Sequence, residues 1–172
     1  MKHRTTAAAV LLVACATAMA AGKHEHGVAR LDVAVEANTI SFQLESPLDN
    51  LLGFEHPPRT AGERERADAL VAKLRSADGV FRLDPAARCK LQSVELVSSA
   101  LKLGNPGPSE EGHADIDGSF TFTCARAADA AYVDTGLFTF ARMQRVDVQV
   151  ARPGAQFGLQ LVRPSGRLDL VR

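Results

Sequence analysis

The sequence predicts an α+β, mainly β domain: an antiparallel sheet or two-layer β-sandwich of about eight strands with one helix packed against it. Three observations predict it. Apolar residues recur at every second position through most of the chain, the pattern of half-buried strands. One stretch alone, after Thr60, spaces them as a helix does. Cys89 and Cys124 both fall on the apolar phase of strand-like segments, where one disulfide can join them. With 172 residues, 46% of them hydrophobic, the chain has the size and apolar content of a single globular domain.

The elements follow in order. Leu31, Val33 and Val35 alternate with Asp32, Ala34 and Glu36, and after Ala37-Asn38 the residues Ile40, Phe42 and Leu44 alternate again, which predicts a β-hairpin. Ser46 to Pro58 holds three prolines and a glycine and reads as a long irregular link, a length that usually serves a purpose. Thr60 to Glu63 has the form of a capping box, and Ala67, Leu70, Val71 and Leu74 continue at helical spacing until Gly79. The charges at its start, Glu63 to Arg66 and Asp68, read as a solvated face.

Beyond the helix the period returns to two. Val80 to Leu83 is a short strand, and Cys89 to Leu101 a longer one whose apolar phase slips between Leu91 and Val94, as a β-bulge requires. His113 to Cys124 sets Ile116, Phe120, Phe122 and Cys124 on one face and His113, Asp115 and Asp117 on the other. Arg126 to Gly136 is ambiguous, with room for a helical turn. Leu137–Phe140, Val146–Val150, Phe157–Leu161 and Leu168–Leu170 complete the strands.

The first twenty residues are read as a leader, not as fold. Lys2, His3 and Arg4 precede an Ala-rich apolar run, and Ala18-Met19-Ala20 supplies the small residues of a cleavage site after Ala20 or Ala21. A second reading takes Leu12-Val13-Ala14-Cys15 as a lipoprotein box, with a lipid anchor through Cys15. Both place the domain, residues 21–172, outside the cytoplasm. Loss of Lys2 and Arg4 turns the balance of 20 positive and 20 negative side chains to 18 against 20, which argues against nucleic acid as a partner. No apolar run after residue 21 approaches the roughly 18 residues of a membrane span. In an exported chain a Cys89–Cys124 disulfide is structural and contributes about 3 to 4 kcal/mol in the chain-entropy account.

The chemistry concentrates in the histidines. His24-Glu25-His26, Glu55-His56 and His113-Ala114-Asp115 each set imidazole beside a carboxylate or a second imidazole, the donor mixture zinc accepts. In extended chain His24 and His26 project together, as do His113 and Asp115. His56 precedes Pro57, which holds its backbone extended, and its alternative role is to hydrogen-bond the loop backbone. Catalysis lacks a signature: no Gly-x-Ser-x-Gly turn, His-Glu-x-x-His helix or phosphate loop is present, so the protein is expected not to be an enzyme.

These residues resemble those of the ZrgA-like family of exported proteobacterial proteins, small domains encoded with zinc-regulated envelope transport genes. The resemblance rests on His24-Glu25-His26-Gly27, Leu31-Asp32-Val33-Ala34-Val35, the string from Glu45 through Ser46-Pro47-Leu48-Asp49-Asn50-Leu51-Leu52-Gly53-Phe54-Glu55 to His56, Cys89, His113-Ala114-Asp115-Ile116 before Phe120 and Cys124, and the stretch from Phe138 to Val150. It implies a periplasmic zinc-binding protein that assists metal uptake beside an envelope transport system, with His24, His26, His56, His113 and Asp115 as candidate ligands. Cu2+ is the rival ion on intrinsic affinity. Many family members carry a His- and Asp-rich run before the His-Ala-Asp segment; here Gly104 to Gly112 holds acids but no histidine, which leaves a site or two and no high-capacity store. The alternative function is a non-catalytic structural or interaction protein of the envelope. That reading expects Leu51, Leu52 and Phe54 to be exposed as a docking surface, whereas metal binding expects them buried.

Overall fold

The structure is a computed structural model and describes residues 25–105 and 114–171. The predicted leader, Cys15 and the candidate ligands His24 and His113 lie outside the described residues.

The predicted hairpin is β1 (Val28–Val35) and β2 (Thr39–Pro47), with Val33 opposite Phe42 and Val35 opposite Ile40. Alternation buries Ala29, Leu31, Val33, Val35, Ile40, Phe42 and Leu44 on one face. The Ser46–Pro58 link is less irregular than its composition suggests. Ser46 and Pro47 end β2, and Leu48–Leu52 forms a short helix, α1, closed by Gly53 at φ +82°, where a residue without Cβ is favoured. Five residues are too few for a 3.6-residue period to show itself.

Helix α2 (Ala61–Ser76) carries the complete capping box. Glu63 N–H donates to Thr60 Oγ1 at 3.1 Å, and Glu63 Oε2 accepts from the amides of Thr60 (3.1 Å) and Arg59 (2.6 Å). The helix stops at Ser76, earlier than Gly79, because Ala77 already takes the left-handed conformation. Its buried stripe is Ala67, Leu70 and Leu74.

Strands β3 (Phe81–Leu83), β4 (Cys89–Val97), β5 (Asp115–Cys124), β6 (Tyr132–Thr135), β7 (Arg145–Arg152), β8 (Ala155–Val162) and β9 (Arg167–Asp169) complete two sheets. The larger runs β4-β5-β2-β1-β7-β8 and is antiparallel except for the parallel β1·β7 pair; the smaller is β3-β6-β9. The bulge expected in β4 falls between Leu91 and Ser93. Leu137–Phe140, expected as a strand, is a 3-10 turn over Leu137–Thr139. The reason is burial: Leu137 and Phe138 both point inward, and neighbours in a strand cannot share a face.

The two layers meet through aromatic rings. Phe81 of the small sheet stacks on Phe42 with centroids 4.3 Å apart and meets Phe120 edge-on at 5.0 Å. Cys89 and Cys124 stand opposite each other in the β4·β5 register and form a disulfide. Among the described residues no helix is long and apolar enough to cross a membrane.

Strand direction decides what gathers at each end of the large sheet. Because β1 and β5 run antiparallel to β2 and β7 runs with β1, the starts of β1, β5 and β7 share an end with the finish of β2. The Glu25-His26-Gly27 segment, α1 and Asp115 all lie there.

Candidate metal centre

Gly27 anchors the approach to β1. Its N–H donates to Asn50 Oδ1 at 2.6 Å, and its carbonyl accepts from the amides of Gln144 (2.8 Å) and Arg145 (2.9 Å). Its φ of +83° suits glycine, and a Cβ there would press on the Gln144 side chain at 3.2 Å. Asn50, 1% exposed in α1, also donates from Nδ2 to the Val28 carbonyl at 2.7 Å and to Ser46 Oγ at 3.3 Å. Glu25 is tied to Arg145 at 3.0 Å. These bonds hold the residue between them, His26, over α1 and the loop that follows it.

The His26 ring lies between two carboxylates. Its Nε2 is 3.2 Å from Glu55 Oε1, and its Nδ1 is 3.7 Å from Asp49 Oδ2. The ring is 66% exposed, the Asp49 side chain only 11%. Asp49 is also bound by Arg142, whose Nη1 donates to Oδ1 at 2.9 Å and Oδ2 at 3.2 Å. Arg142 in turn sits in a loop held by Arg163, which donates to the carbonyls of Met143 (3.0 Å), Phe138 (2.8 Å) and Phe140 (2.7 Å).

This arrangement suits a cation. A neutral imidazole has one N–H and one lone pair, so with carboxylates at both nitrogens the lone pair faces negative charge. A divalent ion shared by Nε2 and Glu55 would balance that charge. Two ligands of a tetrahedral zinc, each about 2.0 to 2.1 Å from the metal, stand about 3.3 Å apart. The His26 Nε2 to Glu55 Oε1 separation therefore matches one edge of such a site, while Asp49, at 3.7 Å from Nδ1, stands beyond hydrogen-bond reach of the opposite ring nitrogen. Two donors do not complete a tetrahedron. Among the described residues no three His, Cys, Asp or Glu side chains come together as a metal-holding group.

His56 contacts the backbone of its own loop. Its Nδ1 is 3.0 Å from the Pro57 carbonyl, and its ring stacks on Phe54 at 5.0 Å. Asp115 stands opposite Pro47 at the start of β5, and its carbonyl accepts from Ser98 Oγ. The preceding Ala114 carbonyl accepts from Leu48 N at 2.9 Å, so the chain that follows His113 in sequence begins against α1. Phe54 is buried and Leu51 and Leu52 pack against the core, so the loop does not present them as a docking surface.

Asp49, Asn50 and Arg142 were not legible as site residues, and Glu55 was legible only as an acid beside His56. A carboxylate becomes informative when something brings it to a histidine, and here that partner lies tens of residues away. The one local sign is Asp49-Asn50 followed by Gly53, a short helix with its stop signal.

A search of curated proteins finds no match. Residues 23–170 match the ZrgA family zinc uptake protein profile, a span from before His26 through β9. With both sheets, the disulfide and the His26–Glu55 pair inside that span, the chain belongs to the ZrgA family of zinc uptake proteins.

Proposed function

We propose that the protein binds a divalent metal ion, zinc foremost, in the periplasm and passes it to an envelope metal-transport system without chemical turnover. The observation that carries this reading is the 3.2 Å separation of His26 Nε2 and Glu55 Oε1, with Asp49 behind the ring. The family's association with zinc uptake supports the choice of ion, and a disulfide suits an oxidising compartment. In this proposal His26 and Glu55 supply two donors and His24 and His113 the remaining imidazoles. His56 and Asp115, both near the same sheet end, are the further candidates. Burial of Phe54 and packing of Leu51 and Leu52 against the core favour this reading over a purely structural docking role.

Titration of zinc into the tag-free exported protein by calorimetry tests the reading, with copper run in parallel. His26→Ala is expected to weaken zinc binding at least tenfold and Glu55→Gln about threefold to tenfold, as loss of one ligand or of its charge should. His113→Ala decides whether that imidazole belongs to the set. Binding weaker than about 0.1 mM in the unaltered protein, or an affinity indifferent to His26→Ala, contradicts it.

A further inference from the structure

The two edges of the large sheet are built differently. At one, β4 is bent by its bulge, carries Lys90 and Glu95 and is tied by the Cys89–Cys124 disulfide. Bulges and charges are the devices that stop an edge from pairing with another chain. At the other edge β8 has neither: it holds no charged residue and no proline, and its register with β7 is unbroken from Ala155 to Val162. Among the described residues no strand pairs with its outer side. The edges of the small sheet, β3 and β9, are three residues each and both carry arginine.

The ladder shows which main-chain groups face outward. Arg163 N–H donates to the Gln144 carbonyl at 3.0 Å, and in an antiparallel pair alternate residues bond to the same neighbour. Residues 155, 157, 159 and 161 therefore turn their main chain to β7. Gln156, Gly158, Gln160 and Val162, all exposed, turn theirs outward. Leu161 is buried on the core face, while Phe157 and Leu159 beside it are only partly covered.

We propose that β8 pairs antiparallel with β8 of a second copy of this chain, about a two-fold axis at Leu159. The strand is its own complement in that register. Leu159 meets Leu159 of the second copy, Phe157 meets Leu161, and the outward main chains of Gln156 and Gly158 meet those of Val162 and Gln160. Sliding the copy by two residues sets Arg163 against Phe157 in one direction and Ala155 against Leu161 in the other, so the apolar match selects one register. Charge does not oppose the pairing. The arginines that bracket the strand are engaged within their own chain: Arg152 donates to the Leu170 carbonyl, and Arg163 to those of Met143, Phe138 and Phe140. The product is one continuous sheet through both copies, with the rims of Phe157 and Leu159 covered.

Sedimentation equilibrium of the tag-free exported protein over a range of concentrations tests the proposal. The mass is expected to rise to twice that of one chain, and amide exchange at Gln156, Gly158, Gln160 and Val162 to slow at least about tenfold in the dimer. Leu159→Lys and Leu159→Glu each set like charges across the axis and should weaken association at least about tenfold. Mixing these two variants, each folded by circular dichroism, should restore a dimer holding one of each. Ser93→Lys, on the opposite edge, should leave association unchanged. A protein that stays monomeric at every concentration overturns the proposal and assigns the edge to some other strand. A dimer that survives Leu159→Lys, or a Lys and Glu mixture that stays monomeric, overturns it as well.

Discussion

Strand β5 joins two ends of the large sheet that are held by opposite means. At its finish Cys124 is bonded covalently to Cys89 and its amide donates to the Asn38 carbonyl of the hairpin turn. At its start, Asp115 lies beside Pro47, α1 and the Gly27 anchor, where a net of hydrogen bonds and ion pairs replaces any covalent link. The first end is a staple. The second is polar, partly exposed and assembled from segments distant in sequence. Rigidity and chemistry are thus divided between the two ends of one strand.

Breaking the staple should have the largest effect. Removing both cysteines (C89A/C124A) is expected to cost about 3 to 4 kcal/mol and to lower Tm by about 10 °C, read by calorimetric unfolding. Zinc affinity of the folded fraction should stay put; a parallel collapse of affinity would show that the two ends are coupled.

Asn50→Ala attacks the other end. It strips the Gly27 amide and the Val28 carbonyl of a buried partner, at an expected cost of about 2 to 3 kcal/mol. Unlike the disulfide variant, it should also weaken zinc binding, because His26 loses its tether. Stability loss without any loss of affinity would show that the Arg145 and Gln144 contacts suffice to place the ring.

The smallest effect concerns the start of α2, just beyond the candidate loop. Amide donation from Arg59, then from Thr60, holds the Glu63 carboxyl below its ordinary value of 4.5. A depressed folded value means that this contribution is present above the unfolded value and is lost as pH falls through the folded one. Glu63→Gln should therefore lower Tm slightly at neutral pH, and the difference from the unaltered protein should shrink as pH falls below 4.5 and through the lower folded value. A difference that persists unchanged to pH 3 would assign the effect to something other than the carboxylate.

The same division explains what could be read from the sequence. The hairpin, α2, the bulge in β4 and the Cys89–Cys124 pairing were legible because burial and covalent capacity leave a local mark: a period of two, a period of 3.6, or a cysteine in phase. The 3-10 turn at Leu137 was misread since adjacent apolar residues fit a strand until both prove buried. At the site, histidine type and spacing pointed to His26, but Glu55 and Asp49 meet it only through the turn of α1, and Arg142 lies 93 residues from Asp49. Tertiary closeness of exposed charges has no periodic signature. The candidate ligands His24 and His113 fall outside the described residues.

Anomalous diffraction at the zinc edge, from crystals of the tag-free exported protein soaked in zinc chloride, tests the central claim most directly. The account predicts a peak about 2.0 to 2.2 Å from both His26 Nε2 and a Glu55 oxygen. A fully loaded crystal whose only strong peaks lie beyond bonding distance of His26 would contradict it.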